Sequence, residues 1–229
     1  MRGSFRGVTY MYTKHKWESE NHYNFKYLRY LPEDFDKSKK YPLVFFLHGA
    51  GERGDDPDIV ALHGYLQYVK EENAEYPFII IAPQCPEGKY WGCFTESLLA
   101  FLDWTCEDLP VDKSRIYLTG LSMGGTGTFM LAMAAPETFA AIAPVCGSGI
   151  CWYAGAIKDI PTYIFHGDCD TVVPIYESIT MLKNINLSGG NAIMEICHGV
   201  GHNAWDVAYK GDKLYKWMLK FSKEDNKQL

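Results

Sequence analysis

Apolar runs of strand length recur along this chain, separated by segments with helical spacing. The runs are PLVFFL at 42–47, FIIIAP at 78–83, RIYLTG at 115–120, FAAIAPVC at 139–146, PTYIFHG at 161–167 and AIMEICHG at 192–199. SLLAFLDWTCEDL (97–109) and TGTFMLAMAA (126–135) space their apolar residues as helices do, residues 58–70 read as a helix, and another is expected near 176–185. PLVFFL is apolar throughout, which suits a central strand covered on both faces. Such alternation predicts an α/β fold, a mostly parallel sheet with helices on both sides. Residues 8–13 and 22–31 (HYNFKYLRYL) are rich in β-favouring side chains and predict two further strands, and LYKWMLKFSK (214–223) predicts a terminal helix. Without a repeat, low-complexity tract or long linker, residues 1–229 are expected to form one domain.

The composition narrows the partners. With 47% hydrophobic and 22% charged residues the chain has ordinary globular make-up. A net charge of −6 disfavours nucleic acid and anionic membrane as partners, and no apolar run approaches the ~18 residues of a membrane helix. The opening MRGSFRGVTY lacks the apolar centre of a secretory signal, so a cytoplasmic, reducing setting is the default expectation. Because MRGS resembles an expression tag, a secreted protein with its leader removed stays open, in which case Cys85 with Cys93, or Cys146 with Cys151, are the candidate bridges among seven cysteines.

In parallel sheets the chemistry collects on loops that leave the carboxyl ends of strands. Gly120-Leu121-Ser122-Met123-Gly124 follows a strand, opens a helix and fits G-x-S-x-G. A strand that turns at once into a helix crowds the positions two before and two after the corner, and glycine has no Cβ to clash there. Ser122 at that corner is exposed and strained, which suits a nucleophile, and the Met123 N–H beside it suits an oxyanion donor.

A serine hydroxyl needs a base, and near neutral pH that suggests histidine. His15, His22 and His63 lie off the strand ends, and His48 and His166 read as structural histidines. His202, on the Gly-rich GVGHNAW loop, is the favoured base and His198 the second candidate. In FHGDCDTVVP, Asp170 is favoured to orient the imidazole, while Asp168 directly after Gly167 reads as a turn cap. The loop HGAGERG after PLVFFL should supply the second oxyanion donor, Ala50 first and Gly51 next.

Trp91 in QCPEGKYWGCF is the preferred substrate contact, with Trp152 and Tyr153 as an opposite wall; Tyr90 and Phe94 divide between substrate wall and core edge. Trp205 is expected to buttress the histidine loop, Glu52 and Arg53 to pair as a loop brace, and Asp55 and Asp56 to cap the next helix. His198 and His202 are spaced H-x-x-x-H without the glutamate of H-E-x-x-H, and there is no G-x-G-x-x-G after the first strand and no P-loop lysine, so neither a catalytic metal nor a nucleotide cofactor is expected.

KYPLVFFLHGAGERG, IIIAPQCP with the following Trp91, GLSMGGTGTFMLAMAAPETFAAIAPVCG, IFHGDCDTVVP and GHNAW together resemble the α/β-hydrolase superfamily over roughly residues 41 to 206. Within it the chain resembles compact serine esterases related to the feruloyl/acetyl esterase and "predicted peptidase" groups. The resemblance implies an eight-stranded sheet with an antiparallel second strand, and a triad of Ser122, Asp170 and His202. It implies hydrolysis of a small-molecule or polysaccharide-linked ester. Residues 147–160 are too few for a large lid, which argues against long-chain lipid substrates. A prolyl-oligopeptidase-like peptidase and a non-catalytic binding module on the same scaffold are the alternative readings.

Overall fold

A computed structural model describes residues 12–226. Its eight strands form one sheet in the order β1-β2-β4-β3-β5-β6-β7-β8. They are β1 (Tyr12–Lys16), β2 (Lys26–Tyr30), β3 (Tyr41–Leu47), β4 (Ile79–Pro83), β5 (Val111–Leu121), β6 (Ala141–Val145), β7 (Thr162–Gly167) and β8 (Ala192–Cys197). β2 runs antiparallel to β1 and β4, and every pair from β4 to β8 is parallel. The strand expected at 8–13 is realised as β1 from Tyr12, and residues 8–11 lie outside the described residues.

The apolar runs become central strands because both faces of the sheet are covered. On β3, Leu43, Phe45 and Leu47 face one core with Phe101 of α2 (Thr95–Asp108), Phe129 of α3 (Met123–Ala134) and Met181 of α4 (Tyr176–Leu187). Val44 and Phe46 face the other with Tyr65 and Val69 of α1 (Tyr65–Glu72), Ala208 of α5 (Trp205–Ala208) and Leu214 of α6 (Lys213–Met218). Each buried side chain of this size contributes about 1.5–3 kcal/mol, so the two-sided β3 anchors the layers.

The helix expected at 58–70 is broken in two. A 3-10 turn, Pro57–Leu62, is followed by α1 from Tyr65, with Gly64 between them at φ 74°. A Cβ on Gly64 would stand 2.4 Å from the Phe46 ring, so packing onto the sheet sets the break. Asp56 caps the turn by accepting from the Asp58 N–H at 3.2 Å, whereas Asp55 pairs with Lys26 at 2.7 Å. The terminal helix expected at 214–223 also divides, into α6 and α7 (Lys223–Asn226), where the Tyr117 hydroxyl takes the Phe221 carbonyl at 2.9 Å.

All seven cysteines are free, so neither Cys85–Cys93 nor Cys146–Cys151 is a bridge. Between β6 and β7 the connection carries a short 3-10 turn, Cys151–Ile157. Among the described residues no helix is long and apolar enough to cross a membrane. Because β3, β5, β7 and β8 are parallel, the loops holding His48, Ser122, Asp170 and His202 leave the same edge of the sheet.

Candidate active site

The corner after β5 behaves as its spacing demands. Ser122 sits at φ 53° and ψ −115°. Its N–H donates to the Val145 carbonyl at 2.9 Å, which fastens the corner to β6. A Cβ on Gly124 would stand 1.9 Å from the Leu47 carbonyl oxygen, and one on Gly120 would stand 2.5 Å from the same atom. Glycine at both places lets α3 pass against β3, and the serine takes the conformational cost, about 1–3 kcal/mol.

The Ser122 Oγ lies 2.8 Å from His202 Nε2, and His202 Nδ1 lies 2.7 Å from Asp170 Oδ2. A carboxylate accepts, so Nδ1 carries the proton and Nε2 is free to accept from the serine hydroxyl. The Asp170 side chain is fully buried. Burial pushes its carboxyl up, but hydrogen bonds from His202 and from the Val173 and Val172 N–H groups outweigh this, and it stays below the usual carboxylate range. Those two N–H groups reach Oδ1 at 2.9 and 2.8 Å. The Cys169 N–H donates to the Val200 carbonyl at 3.0 Å and ties the aspartate loop to the histidine loop. Trp205 packs its ring edgewise on His202, 5.3 Å between centroids and 84° between planes, as the buttress expected of it.

The second-choice residues fall elsewhere. His198 pairs with Asp168 at 2.9 Å on the surface, with 83% of its side chain exposed, and Asp168 also accepts the Gly199 N–H at 2.7 Å. His166 is supporting: its Nε2 donates to the Val173 carbonyl at 2.9 Å and stands 3.2 Å from Asp170 Oδ2, while Nδ1 accepts from the Ser178 hydroxyl at 2.7 Å.

Met123 opens α3, and Ala50 opens a 3-10 turn, Ala50–Glu52. The first N–H groups of a helical turn have no partner inside it, which leaves both available to a ligand. A Cβ on Gly49 would stand 3.6 Å from the Ser122 Cβ, so this loop runs beside Ser122. Its carbonyls are tied back: the Trp91 indole N–H donates to His48 O at 2.9 Å and Arg53 Nε to Ala50 O at 2.9 Å. His48 accepts the Cys85 N–H on Nε2 at 2.9 Å, so Nδ1 carries the proton and donates to Gly49 O at 2.6 Å. Burial lowers the His48 pKa to about 4.

Glu52 and Arg53 do not pair with each other. Glu52 is buried between His48 (3.8 Å) and His63 (3.5 Å), and burial pushes its carboxyl up. Arg53 turns outward over the Tyr90 ring.

A cavity of about 210 Å³ opens at Ser122, with walls from Tyr90, Trp91 and Gly92 after β4 and from Met123, Gly127 and Met130 of α3. Trp91 is 2% exposed and serves as wall and brace together. Trp152 and Tyr153 are not among the lining residues; they stand exposed on the 3-10 turn after β6, at 85% and 53%. Phe94 packs on Phe25 and Tyr23 at the core edge. The sequence reading passed over Met130, whose signal is its place seven residues, two helical turns, beyond Met123.

Cys146, Asp170 and His202 bring possible metal-ligand atoms within 4.8 Å of one another. The 2.7 Å between His202 Nδ1 and Asp170 Oδ2 is shorter than the roughly 3.3 Å that separates two ligands of a tetrahedral ion with bonds of about 2.0 Å. Their spacing is that of a hydrogen bond, and burial holds the Cys146 thiol far above its usual pKa.

Residues 22–157 match the Esterase family. The chain belongs to that family. The chain is 31% identical over 169 residues to "Probable feruloyl esterase C" of Aspergillus terreus, covering 72% of this chain and 62% of that protein. A solved thermostable esterase superposes with a TM-score of 0.84 at 30% identity, over 93% of this chain and 63% of that one. A ferulic acid esterase of Anaeromyces mucronatus, solved with ferulic acid, shares the fold at 18% identity and a TM-score of 0.65, over 91% of this chain and 92% of that one. The fold is thus the α/β-hydrolase fold expected from the motifs, and the chain spans about three-fifths of the length of the curated relatives it matches first.

Proposed function

We propose that this esterase hydrolyses carboxylic esters through Ser122, His202 and Asp170 by way of an acyl-enzyme. The observation that carries the reading is the continuous line from Ser122 Oγ to His202 Nε2 at 2.8 Å and from His202 Nδ1 to Asp170 Oδ2 at 2.7 Å. His202 takes the serine proton as Oγ attacks the ester carbonyl, and Asp170 stabilises the imidazolium that forms. The Met123 and Ala50 N–H groups receive the oxyanion. The tetrahedral intermediate collapses, the C–O bond to the alcohol breaks, and His202 returns its proton to the leaving oxygen. Water, deprotonated by His202, then attacks the acyl-enzyme; its breakdown frees the acid and restores Ser122.

The substrates are short-acyl or aryl esters, including feruloyl or acetyl groups carried on plant polysaccharide. Support comes from the feruloyl esterases among the relatives and from a bifunctional acetylxylan esterase/xylanase of Neocallimastix patriciarum, 25% identical over 148 residues. The test is turnover of methyl ferulate, acetylated xylan and aryl acetates by the wild type and by Ser122→Ala, with circular dichroism to check the fold. A folded variant reduced by about 10⁶-fold in kcat is expected. Turnover near the wild-type level in that variant removes Ser122 from the chemistry.

A further inference from the structure

The cavity at Ser122 lies to one side of the nucleophile. Tyr90, Trp91 and Gly92 form one wall and Met123, Thr126, Gly127 and Met130 the other; Val173 of the Asp170 loop also lines it, and His202 is not among its lining residues. That asymmetry assigns the two halves of an ester. The leaving alcohol must reach the proton on His202 Nε2, so it belongs on the histidine side. The acyl group, bonded to Ser122 Oγ through the intermediate, belongs on the side away from His202.

We infer that this cavity receives the acyl half of the substrate and that Met130, set against Gly92, fixes its depth; the inference rests on the ester-hydrolase reading above. Met123 and Met130 stand about 10 Å apart along the axis of α3 at 1.5 Å per residue, which gives the cavity its length. Gly127, between them on the same face, leaves the width: a Cβ there would stand 2.9 Å from the Trp91 Cβ. A Cβ on Gly92 would stand 2.5 Å from the Met130 Cε, so the two sides already touch at that end.

Volume and lining name the acyl class. At about 210 Å³ the cavity exceeds the ~150 Å³ apolar cavity that accommodates benzene, so it takes one aromatic ring or a short aliphatic chain. No charged side chain lines it. Thr126 lines it too, but its hydroxyl already accepts the Ser148 N–H at 3.0 Å and pairs with the Ser148 hydroxyl at 3.2 Å. The acyl group it fits is uncharged, recognised by shape, with cinnamoyl and butyryl esters favoured over hemisuccinates.

The experiment compares kcat/KM across two ester series in the wild type, Met130→Ala and Gly92→Ala. One series varies the acyl group from acetyl through butyryl and octanoyl to cinnamoyl on a fixed aryl alcohol. The other varies the alcohol on a fixed acetyl group. Met130→Ala is expected to raise the octanoyl-to-acetyl ratio at least 10-fold, and Gly92→Ala to lower the cinnamoyl-to-acetyl ratio at least 10-fold, the range that one methylene commands in an apolar pocket. Alcohol ratios are expected to stay put in both variants. Movement in the alcohol series alone would place the alcohol in the cavity, and acyl ratios fixed in both variants would remove Met130 and Gly92 from selection; each overturns the assignment while leaving the hydrolase intact. A wild type that turns over no ester in either series overturns both readings together.

Discussion

Asp170 holds His202 through a 2.7 Å contact between Oδ2 and Nδ1, and its second oxygen is fully committed to two main-chain N–H groups. The carboxylate can therefore neither rotate away nor release the imidazole without breaking the loop that carries it.

Asp170→Asn keeps this shape and reverses the proton logic. The Asn oxygen can still accept from Val172 and Val173, which turns its NH₂ toward His202 Nδ1. That nitrogen must then accept, so the proton moves to Nε2 and the base is lost. A fall of about 10⁴ in kcat with little change in KM is expected, read from ester hydrolysis at pH 7. A loss below tenfold would show that Asp170 does not set the tautomer.

The two histidines of CHGVGH are separable by the same assay. His202→Ala removes the base and is expected to abolish turnover. His198→Ala breaks only the exposed contact with Asp168, and such pairs contribute little, so turnover is expected to stay at the wild-type level. The reverse pattern would overturn the assignment of the base.

The fold was readable because its signal is local. A strand buried on both faces must be apolar throughout, and Leu43 to Leu47 and Ile79 to Ala82 are. The Ser122 corner was readable for a similar reason, since Gly120–Ser122–Gly124 is a steric requirement written in three positions. Asp170 and His202 were candidates because parallel strands bring loops distant in sequence to one edge; their choice over Asp168 and His198 rested on their positions within those loops. Other features depend on contacts that spacing does not encode. The split at Gly64 is set by the Phe46 ring, some eighteen residues earlier in the chain. Trp152 and Tyr153 follow a strand as Trp91 does, yet among the described residues their side chains have no partner equivalent to the His48 carbonyl, and they stay outside the cavity. Glu52 and Arg53 are neighbours in sequence, but burial takes one inward to the histidines while the other remains at the surface.

Ser122 at φ 53° implies a trade between stability and activity. Ser122→Gly removes the Cβ from a backbone region that side chains disfavour, and relief of about 1 kcal/mol is expected. Ser122→Ala keeps the Cβ and gains none of it. Urea unfolding should therefore rank Gly above both Ala and wild type, with both variants inactive. Equal midpoints for the two variants would mean that the corner carries no strain.

His48 gives the protein a predictable sensitivity to mild acid. Folded, it titrates near pH 4 because burial disfavours its charged form; unfolded, its ordinary value is 6.5. Above pH 6.5 both states are neutral at this residue and it contributes no slope. Below that the unfolded chain takes up the proton first, so stability falls as the pH drops toward 4, by on the order of 3 kcal/mol. Asp170 acts in a lower window: its folded pKa is depressed, so its contribution is intact above the ordinary carboxylate range and is lost only as the pH falls through the folded value. Glu52, raised by burial, works in the opposite sense to His48, so the comparison must be between wild type and His48→Gln rather than within one curve. Glutamine can accept the Cys85 N–H and donate to the Gly49 carbonyl without a proton to gain. Urea unfolding at pH 7, 6, 5 and 4 should show the wild type losing stability faster than His48→Gln over this range. Parallel curves would mean that His48 does not stay neutral in the folded protein.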